Sequence, residues 1–408
     1  MPEVAQRATN PFGLAFATAQ TQMGLGLEIS RGTAATPLYY LPVRAPKYKP
    51  DRMYLPDQSL QGSMVQTYNM TPAMRYDSHG WDSYIYLDHF PLLVAMELGS
   101  QDFVTAAIAA GCTLAQAVVP GNNTIIVTAA VPTGSFFTLG TQVAGTLETH
   151  MVASSTGTAP SVTLTLSTAT IFPHASGDPL TGLTKHTFSL LNNAGAGNQP
   201  PSGTIWDYDG DQWRQLTASQ LDALTLKGNA TALAEYTSTW FCNPSVTPTP
   251  PTPSYTTAKP VPSYTTSLTL GGTQVTAVEE YTLDFKRGVK PIPALTGTQE
   301  YFEYFAGPIQ TTGNKFTAIV TAGNPLLTYF QNGTIFPVDF LLFDNYNGWG
   351  LDIHCSQSIF TACDVSRSKE WVEDDMTIDF LPSTTDAKAG GVSPLLISIG
   401  NNVTTPYS

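Results

Sequence analysis

The sequence predicts an all-β fold: an antiparallel β-sandwich in two tandem copies, with short flanking helices and a small β-domain inserted into the first copy. Composition is the first reason. Among 408 residues stand 33 Gly, 31 Pro and 56 Thr, a mixture that starves helices and suits strands and turns. Strict apolar–polar alternation in several short runs is the second, and an internal echo between the two parts of the chain is the third. Charged residues make up only 12%, yet 42% are hydrophobic, enough for a core and against wholesale disorder.

Along the chain, residues 1–36 are rich in Ala, Gly and Thr without a sustained period and read as an arm. Thr36 to Val43 is an apolar, Tyr-bearing run and the first expected strand. Between Ala45 and Gln61, Pro46, Pro50 and Pro56 alternate with Lys47, Lys49, Asp51, Arg52 and Asp57. Prolines deny donors to a ladder, so this stretch is expected to be a long protruding loop or hairpin that reaches a neighbouring subunit. Trp81, Ser83, Ile85 and Leu87 then share one face of a strand, with Asp82, Tyr84 and Tyr86 on the other. Pro91 to Leu98 reads as a short helix, with proline in its first turn and Gly99 just past its end.

From 104 to 183 the composition shifts to small residues, Val and Thr, and Ser161 to Ile171 alternates strictly. This stretch is expected to be a self-contained β-module. The first copy therefore comprises 1–103 and 184–243. A proline-rich connector follows at 244–263, where Pro244, Pro248, Pro250, Pro251, Pro253, Pro260 and Pro262 favour an extended chain. The second copy, 264–408, resumes strand patterning at Tyr264–Leu270 and Tyr281–Phe285 and ends in a further arm from 383.

Four anchors in the same order support the duplication. Gly62 and Gly80 match Gly297 and Gly313; Pro91-Leu92-Leu93 matches Pro325-Leu326-Leu327; Thr187 to Asn193 matches Asp339 to Asn345; and Leu224 to Trp240 matches Leu351 to Trp371. Between the second and third anchors the first copy is longer by about 82 residues, the size of the 104–183 module. Insertion at a loop tip is the least costly way to accommodate it, because loop closure grows only slowly with length.

No convergent catalytic cluster is legible, so neither enzyme activity nor a cofactor is expected. Asp207, Asp209 and Asp211 have the spacing of a calcium loop, but Gly210 is misplaced and Ala218 stands where the closing Glu belongs, so a polar turn is favoured. Glu279-Glu280 and Asp374-Asp375 are adjacent in expected strands and point to opposite faces, unlike a glycosidase pair. Of the six histidines, His79 and His89 are expected to cap turns, and none of the six stands at metal-ligand spacing. Cys112, Cys242, Cys355 and Cys363 are expected to be buried reduced thiols. The net charge of −13 with scattered basic residues argues against a nucleic-acid reader. It is compatible with DNA that slides past without sticking. No run approaches the ~18 uninterrupted apolar residues of a membrane span, and no secretory leader is legible, so assembly inside a cell is expected.

Leu55-Pro56-Asp57-Gln58-Ser59-Leu60-Gln61-Gly62-Ser63, Leu224-Thr225-Leu226-Lys227-Gly228-Asn229-Ala230, and the stretch from Thr265 to Gly313 with Pro291-Ile292-Pro293, Gly297 and Gly307-Pro308 resemble the tail tube proteins (major tail proteins) of long non-contractile-tailed bacteriophages. The similarity covers about 37–103 and 183–345. It implies a sandwich whose sheets join neighbours into a ring with a continuous inner β-barrel. Rings stack, gripped by a long loop and terminal arms, around a tape measure protein, and the bore conducts DNA during ejection. Family rings have six tube folds. Two copies per chain would give homotrimeric, pseudo-hexameric rings, whereas one copy would give homohexamers. The same resemblance implies tail terminator and distal tail proteins as partners, and a virion tail assembled in the bacterial cytoplasm. An acidic lining that repels DNA and an exterior, dispensable 104–183 module are further expectations. Other readings are a tail-tip or baseplate ring or decoration protein, and a carbohydrate-binding β-sandwich using Trp206 and Trp213 out of the set Trp81, Trp206, Trp213, Trp240, Trp349 and Trp371.

Overall fold

The structure is a computed structural model that describes residues 20–59, 62, 64–105, 108–192, 199–249, 251–275, 277–321, 326–388 and 390–407. In the first half it holds β1 (Gln22–Leu27), β2 (Tyr39–Leu41), β3 (Val43–Asp57), β4 (Asn69–Tyr84), α1 (Phe90–Leu98) and β5 (Gly99–Val104). The module contributes β6 (Thr124–Val127), β7 (Phe136–Leu139), β8 (Glu148–Thr158), β9 (Ser161–Leu166) and β10 (Leu180–Gly182). The first half then resumes with β11 (Thr184–Leu190), β12 (Gly203–Tyr208), β13 (Trp213–Asn229) and β14 (Glu235–Cys242). The second half runs through β15 (Thr266–Leu270), β16 (Thr273–Val275), β17 (Val278–Lys286), β18 (Lys290–Ile292), β19 (Glu303–Phe305), β20 (Asn314–Ile319) and α2 (Leu326–Asn332). It closes with β21 (Phe336–Asp344), β22 (Trp349–Ser366), β23 (Glu373–Phe380) and β24 (Leu396–Asn401). The fold is all-β and sandwich-like, with large antiparallel sheets.

The halves repeat one pairing scheme. In the first, β1 pairs β2 and β12, β12 pairs β13, β13 pairs β14, β14 pairs β4, and β4 pairs β3. In the second, β15 pairs β16 and β21, β21 pairs β22, β22 pairs β23, β23 pairs β20, and β20 pairs β17. Even the irregularities recur: the ladder slips between Leu221 and Ala223 on β13 and between Phe360 and Ala362 on β22. A bulge re-aims a strand, and each of these long strands pairs with one neighbour along its first part, β12 or β21, and with another along its second, β14 or β23.

Alternation sets the faces. Trp81 on β4, Tyr236 and Trp240 on β14, Leu224 and Leu226 on β13, and Tyr281, Leu283 and Phe285 on β17 all point inward and are buried. Trp81 and Trp240 stack at 5.3 Å, and Tyr281 meets Phe340 edge-on at 4.6 Å. One core runs through both halves. Helix α1 is apolar on nearly every side and correspondingly buried on every side. Pro91 stands in its first turn, and Gly99 ends it with a left-handed φ of 86°.

Several sequence expectations need correction. The stretch 1–36 is not wholly an arm, because β1 sits in a sheet between β12 and β2; residues 1–19 lie outside the described residues. The stretch from 383 is no free arm either: β24 pairs with both β11 and β22, and Tyr407 is buried and donates to the Asp88 carbonyl. The third anchor is misplaced, since the counterpart of β21 is β12 and not β11. Composition misled there: both hairpins turn through four residues, Asp209 to Gln212 and Asn345 to Gly348, while the apolar run of β11 belongs to another hairpin. The fourth anchor falls on the correct strands but out of register, because β14 matches β23 from Glu235 and Glu373 onward. Of the second anchor, Pro325 lies outside the described residues.

The module has its own five-stranded sheet, ordered β10-β7-β8-β9-β6, and its own core of Cys112, Leu114, Ile125, Val127, Phe137 and Leu164 among others. It leaves the body at the tip of the β5·β11 hairpin, where Val104 and Lys185 are direct partners. Relative to the second half, the added segment is therefore the module together with β5 and β11. Phe136 fastens it to the body. This ring, fully buried, lies over Gly350 and Gly400, which face each other across β22 and β24. A Cβ on Gly350 would come within 2.9 Å of the ring, and one on Gly400 would overlap it outright.

The connector lies along the body: Val246 bridges Gln215, Tyr255 bridges Tyr40, and Pro262 bridges Leu233.

Candidate assembly interface

The halves join through a seam in which β13 pairs antiparallel with β17. Ala223 faces Lys286, Leu224 faces Phe285, Thr225 faces Asp284, Leu226 faces Leu283 and Lys227 faces Thr282. Leu226 and Leu283 close the core side, while Thr225 Oγ1 donates to Asp284 Oδ1 at 2.6 Å on the polar side. At Gly228 the absent side chain leaves room for the Tyr281 ring, which any Cβ there would overlap.

This seam produces one continuous sheet in the order β3-β4-β14-β13-β17-β20-β23-β22. Its two borders are β3 and the C-terminal part of β22. Among the described residues β3 pairs only with β4, and residues 359–366 of β22 pair only with β23. Under the repeat, β3 is the counterpart of β17 and β22 is the counterpart of β13. The two open borders thus correspond to the two strands that already meet inside the chain.

Lys47, Lys49, Asp51, Arg52 and Asp57, the residues singled out in the sequence, all stand on β3. The prolines did not prevent a strand, for Pro46, Pro50 and Pro56 lie on its border position. With β4 it forms a hairpin whose outer part carries exposed Met53, Tyr54, Leu55 and Met70. Lys49 pairs with Asp51 at 2.7 Å. Sequence reading missed the other border. On β22, Asp364 and Val365 are exposed, and Asp364 stands directly opposite Asp375. The alternation of Phe360 through Ser366 signals a strand, but nothing local announces that it is left unpartnered.

The sheet's outer face is polar and mixed in sign. Glu280, Thr317, Asp375 and Asp364 form one cross-strand row. Arg44, Asp82, Thr237, Thr225 and Asp284 form another, with Thr237 bonded to Asp82 at 2.7 Å. Lys227, Lys286 and Lys315 intervene. Acidic and basic side chains are therefore interspersed on this face.

The remaining candidates are structural. Asp207 is buried and lies 3.3 Å from His79, and Asp209 accepts from the Asp211 and Gln212 amides and from Arg214, so the carboxylates of Asp207 and Asp209 are committed. His79 lies within β4 and caps nothing; His89 is the first residue before α1 but makes no side-chain cap. Asp374 is buried while Asp375 faces outward, so that pair diverges as its spacing requires, and Glu279 is held by Lys369 at 2.8 Å. Ser356, His354 and Asp339 line up with gaps of 3.2 Å and 2.5 Å, the distances of a nucleophilic triad. Ser356 gives its hydroxyl hydrogen to Asp386 at 2.5 Å instead. The hydrogen bond that His354 makes to Asp339, with the Asp352 and Asp386 charges nearby, raises its imidazole above the ordinary value.

Trp206 is buried and donates to the Ala35 carbonyl, and Trp213 stacks on Tyr208, so the two do not form an exposed sugar platform. Three thiols are buried, but Cys363 on the β22 border is half-buried, a correction to the expectation for all four. No described helix is long and apolar enough to cross a membrane. No protein-family model matches the chain, and no curated protein matches it in sequence.

Proposed function

We propose that this chain is the tail tube subunit of a long non-contractile-tailed bacteriophage, a non-enzymatic virion protein that polymerises into stacked rings. The single observation that carries the reading is the β13·β17 seam together with two open borders, β3 and β22, that repeat its two strands. A chain whose two free borders are different and complementary associates head to tail, and such an interface closes into a ring or runs on as a filament. Two sandwich copies per chain make the homotrimeric, pseudo-hexameric ring the favoured closure, with a homohexamer as the alternative. Closure pairs both borders of this sheet, which are otherwise a liability for aggregation.

The polar, mixed-sign face becomes the lining of the bore. It would pass the tape measure protein and then DNA without tight binding, because the basic side chains there stand among carboxylates. The exposed apolar outer part of the β3·β4 hairpin, with Met53, Tyr54 and Leu55, is suited to contact the next ring. Terminal rings would meet the tail terminator and distal tail proteins. The 104–183 module would stand on the exterior.

Negative-stain electron microscopy over a concentration series, with mass measurement of the smallest ring, tests the reading. Tubes with a regular bore and three chains per ring are expected. Isolated rings that never stack would favour a tail-tip or baseplate ring instead. A monomer at the highest concentrations would overturn both.

A further inference from the structure

The internal seam specifies the external one residue by residue. Resting on the ring reading above, the geometry points to a β22·β3 junction between copies in a single register, in which Asp364 of one copy faces Lys49 of the next.

The correspondence follows from ladders already made. Strand β14 and strand β23 each span eight residues, Glu235–Cys242 and Glu373–Phe380. Through them Ala223, Leu224, Thr225, Leu226 and Lys227 on β13 take the places of Ala362, Cys363, Asp364, Val365 and Ser366 on β22. The same ladders carry β4 onto β20, so that His79 matches Asn314, Trp81 matches Phe316 and Ser83 matches Ala318. All six are buried, so the faces agree as well as the pairings. From β4 and β20 the register passes to the border through Gly80 and Lys315, which set Lys47 in the place of Thr282. Counted on along the two strands, Tyr48, Lys49 and Asp51 then take the places of Leu283, Asp284 and Lys286, the last of which bridges Gln310 just past the end of the β17·β20 ladder.

Transferring the pairs of the internal seam then gives Ala362 opposite Asp51, Asp364 opposite Lys49, Val365 opposite Tyr48 and Ser366 opposite Lys47, each pair between two copies. The chemistry of these partners is complementary. Val365 is 43% exposed and Tyr48 packs its ring against the core side, so together they repeat the apolar contact of Leu226 with Leu283. On the polar side, Asp364 faces Asp375 with no cation between them, an unfavourable like-charge pair in the isolated chain. A lysine arriving opposite Asp364 relieves that repulsion. The β3 border carries Arg44, Lys47, Lys49 and Arg52 against Asp51 and Asp57, and the other border lies beside Glu280, Asp364 and Asp375 with Lys315, so the excess charge of the two borders is opposite in sign and favours their pairing with each other.

Cysteine pairs test the register in the full-length protein. Lys49→Cys with Asp364→Cys in one chain is expected to link copies covalently under mild oxidation, since directly opposed strand residues lie within disulfide reach. Lys49→Cys with Ala362→Cys, a diagonal pair about 7–8 Å apart, is expected to link several-fold less; native Cys363 is replaced by serine in both. Rings that form by microscopy but link best through the 362 pair, or through neither, overturn the register while leaving the ring reading intact. Absence of rings in the parent protein overturns the ring reading itself. Charge exchange gives a second readout. Lys49→Asp alone is expected to raise the concentration needed for assembly about tenfold or more, and adding Asp364→Lys is expected to bring it back to within about threefold. Failure of the second change to rescue, with both variants folded by circular dichroism, would overturn the proposed pair.

Discussion

Thr225 and Asp284 face each other across the β13·β17 seam, which with the β11·β24 ladder joins the two halves, and a 2.6 Å hydrogen bond links them on the polar side. Directly behind them Leu224, Leu226, Leu283 and Phe285 are buried in a core shared by both halves. A sheet edge that in a single-copy protein would await a neighbour is here closed within the chain. In the proposed ring, two copies per chain would make half of the junctions covalently linked, and would remove the entropic cost of bringing those two folds together.

The seam should be intolerant where its backbone is most closely approached. Gly228→Val places a side chain into the Tyr281 ring. A loss of about 1–3 kcal/mol in urea unfolding is expected. Substituting Arg367→Ala, just beyond the open β22 border, should change the stability of the unassembled chain by no more than about 0.5 kcal/mol. Equal effects at the two positions would contradict the assignment of one border as closed and the other as open.

The module should be separable only if its socket is repaired. Phe136 fills the slot over Gly350 and Gly400, beside Leu341 and Phe343. Removing 105–183 and joining Val104 to Thr184 by a short turn closes the β5·β11 hairpin without strain, because those ends are already adjacent. The deletion alone uncovers an apolar socket and is expected to cause aggregation, whereas the deletion combined with Leu341→Thr and Phe343→Thr should restore a monodisperse species by gel filtration. Phe136→Ala in the intact chain should cost about 3–5 kcal/mol.

A buried ionic chain should give the module its own pH optimum. Glu148 accepts from His174 at 2.5 Å and from the Ile171 amide at 2.7 Å, with His150 beside it, and His174 reaches Asp178 at 3.2 Å on its other nitrogen. The hydrogen bond from His174 and the close approach of His150 overcome the desolvation of Glu148 and hold its carboxyl down at about 2. The two carboxylates, Glu148 foremost, hold the His174 imidazole above its ordinary value despite burial. The carboxylate contribution is complete above an unfolded pKa of about 4.5 and fades as pH falls toward 2. The imidazolium contribution is complete below an unfolded pKa of about 6.5 and fades as pH rises through the raised value. Thermal stability of the module should therefore peak between about pH 4.5 and 6.5. Glu148→Gln is expected to cost about 3–5 kcal/mol there, because it breaks a buried pair.

How much of this was legible in the sequence depends on whether a feature is local. Tyr281, Leu283 and Phe285 alternate with polar neighbours, and Pro91 and Gly99 bracket seven residues of which only Glu97 is not apolar, so the strand and the helix could be read directly. The boundary of the module was legible because its composition changes abruptly at 104 and 183. Asp364 was not legible as an interface residue, because being unpartnered is a property of sheet order, which pairs strands up to hundreds of positions apart. The belonging of β1 and β24 to the body was hidden for the same reason. Gly24 and Gly26 weaken β1 as a strand signal, and they are present because Pro37 and Thr36 approach its backbone closely. The repeat itself was found through turns and short apolar runs, and only the ladders supplied its register.

Asp352 should oppose folding at neutral pH. It lies on β22 opposite Leu341, almost wholly buried, with one carboxylate oxygen lacking a hydrogen-bond partner. Desolvation, reinforced by the neighbouring Asp339 charge and only partly offset by His354 and Lys185, pushes its carboxyl up to about 7. In the unfolded chain an aspartate titrates near 3.9. Between these values the native state binds the extra proton, so stability falls as pH rises through the window. Asp352→Asn keeps the shape and removes the titration. Its effect should be small at pH 4 and grow to a stabilisation of up to about 4 kcal/mol at pH 8, the equivalent of a shift of roughly three pH units. Denaturant titrations of both proteins at the two pH values measure this directly. A variant that is destabilised equally at both would mean that Asp352 is ionised and paired in the native state, and that Lys185 or His354 stands closer to it than the present geometry allows.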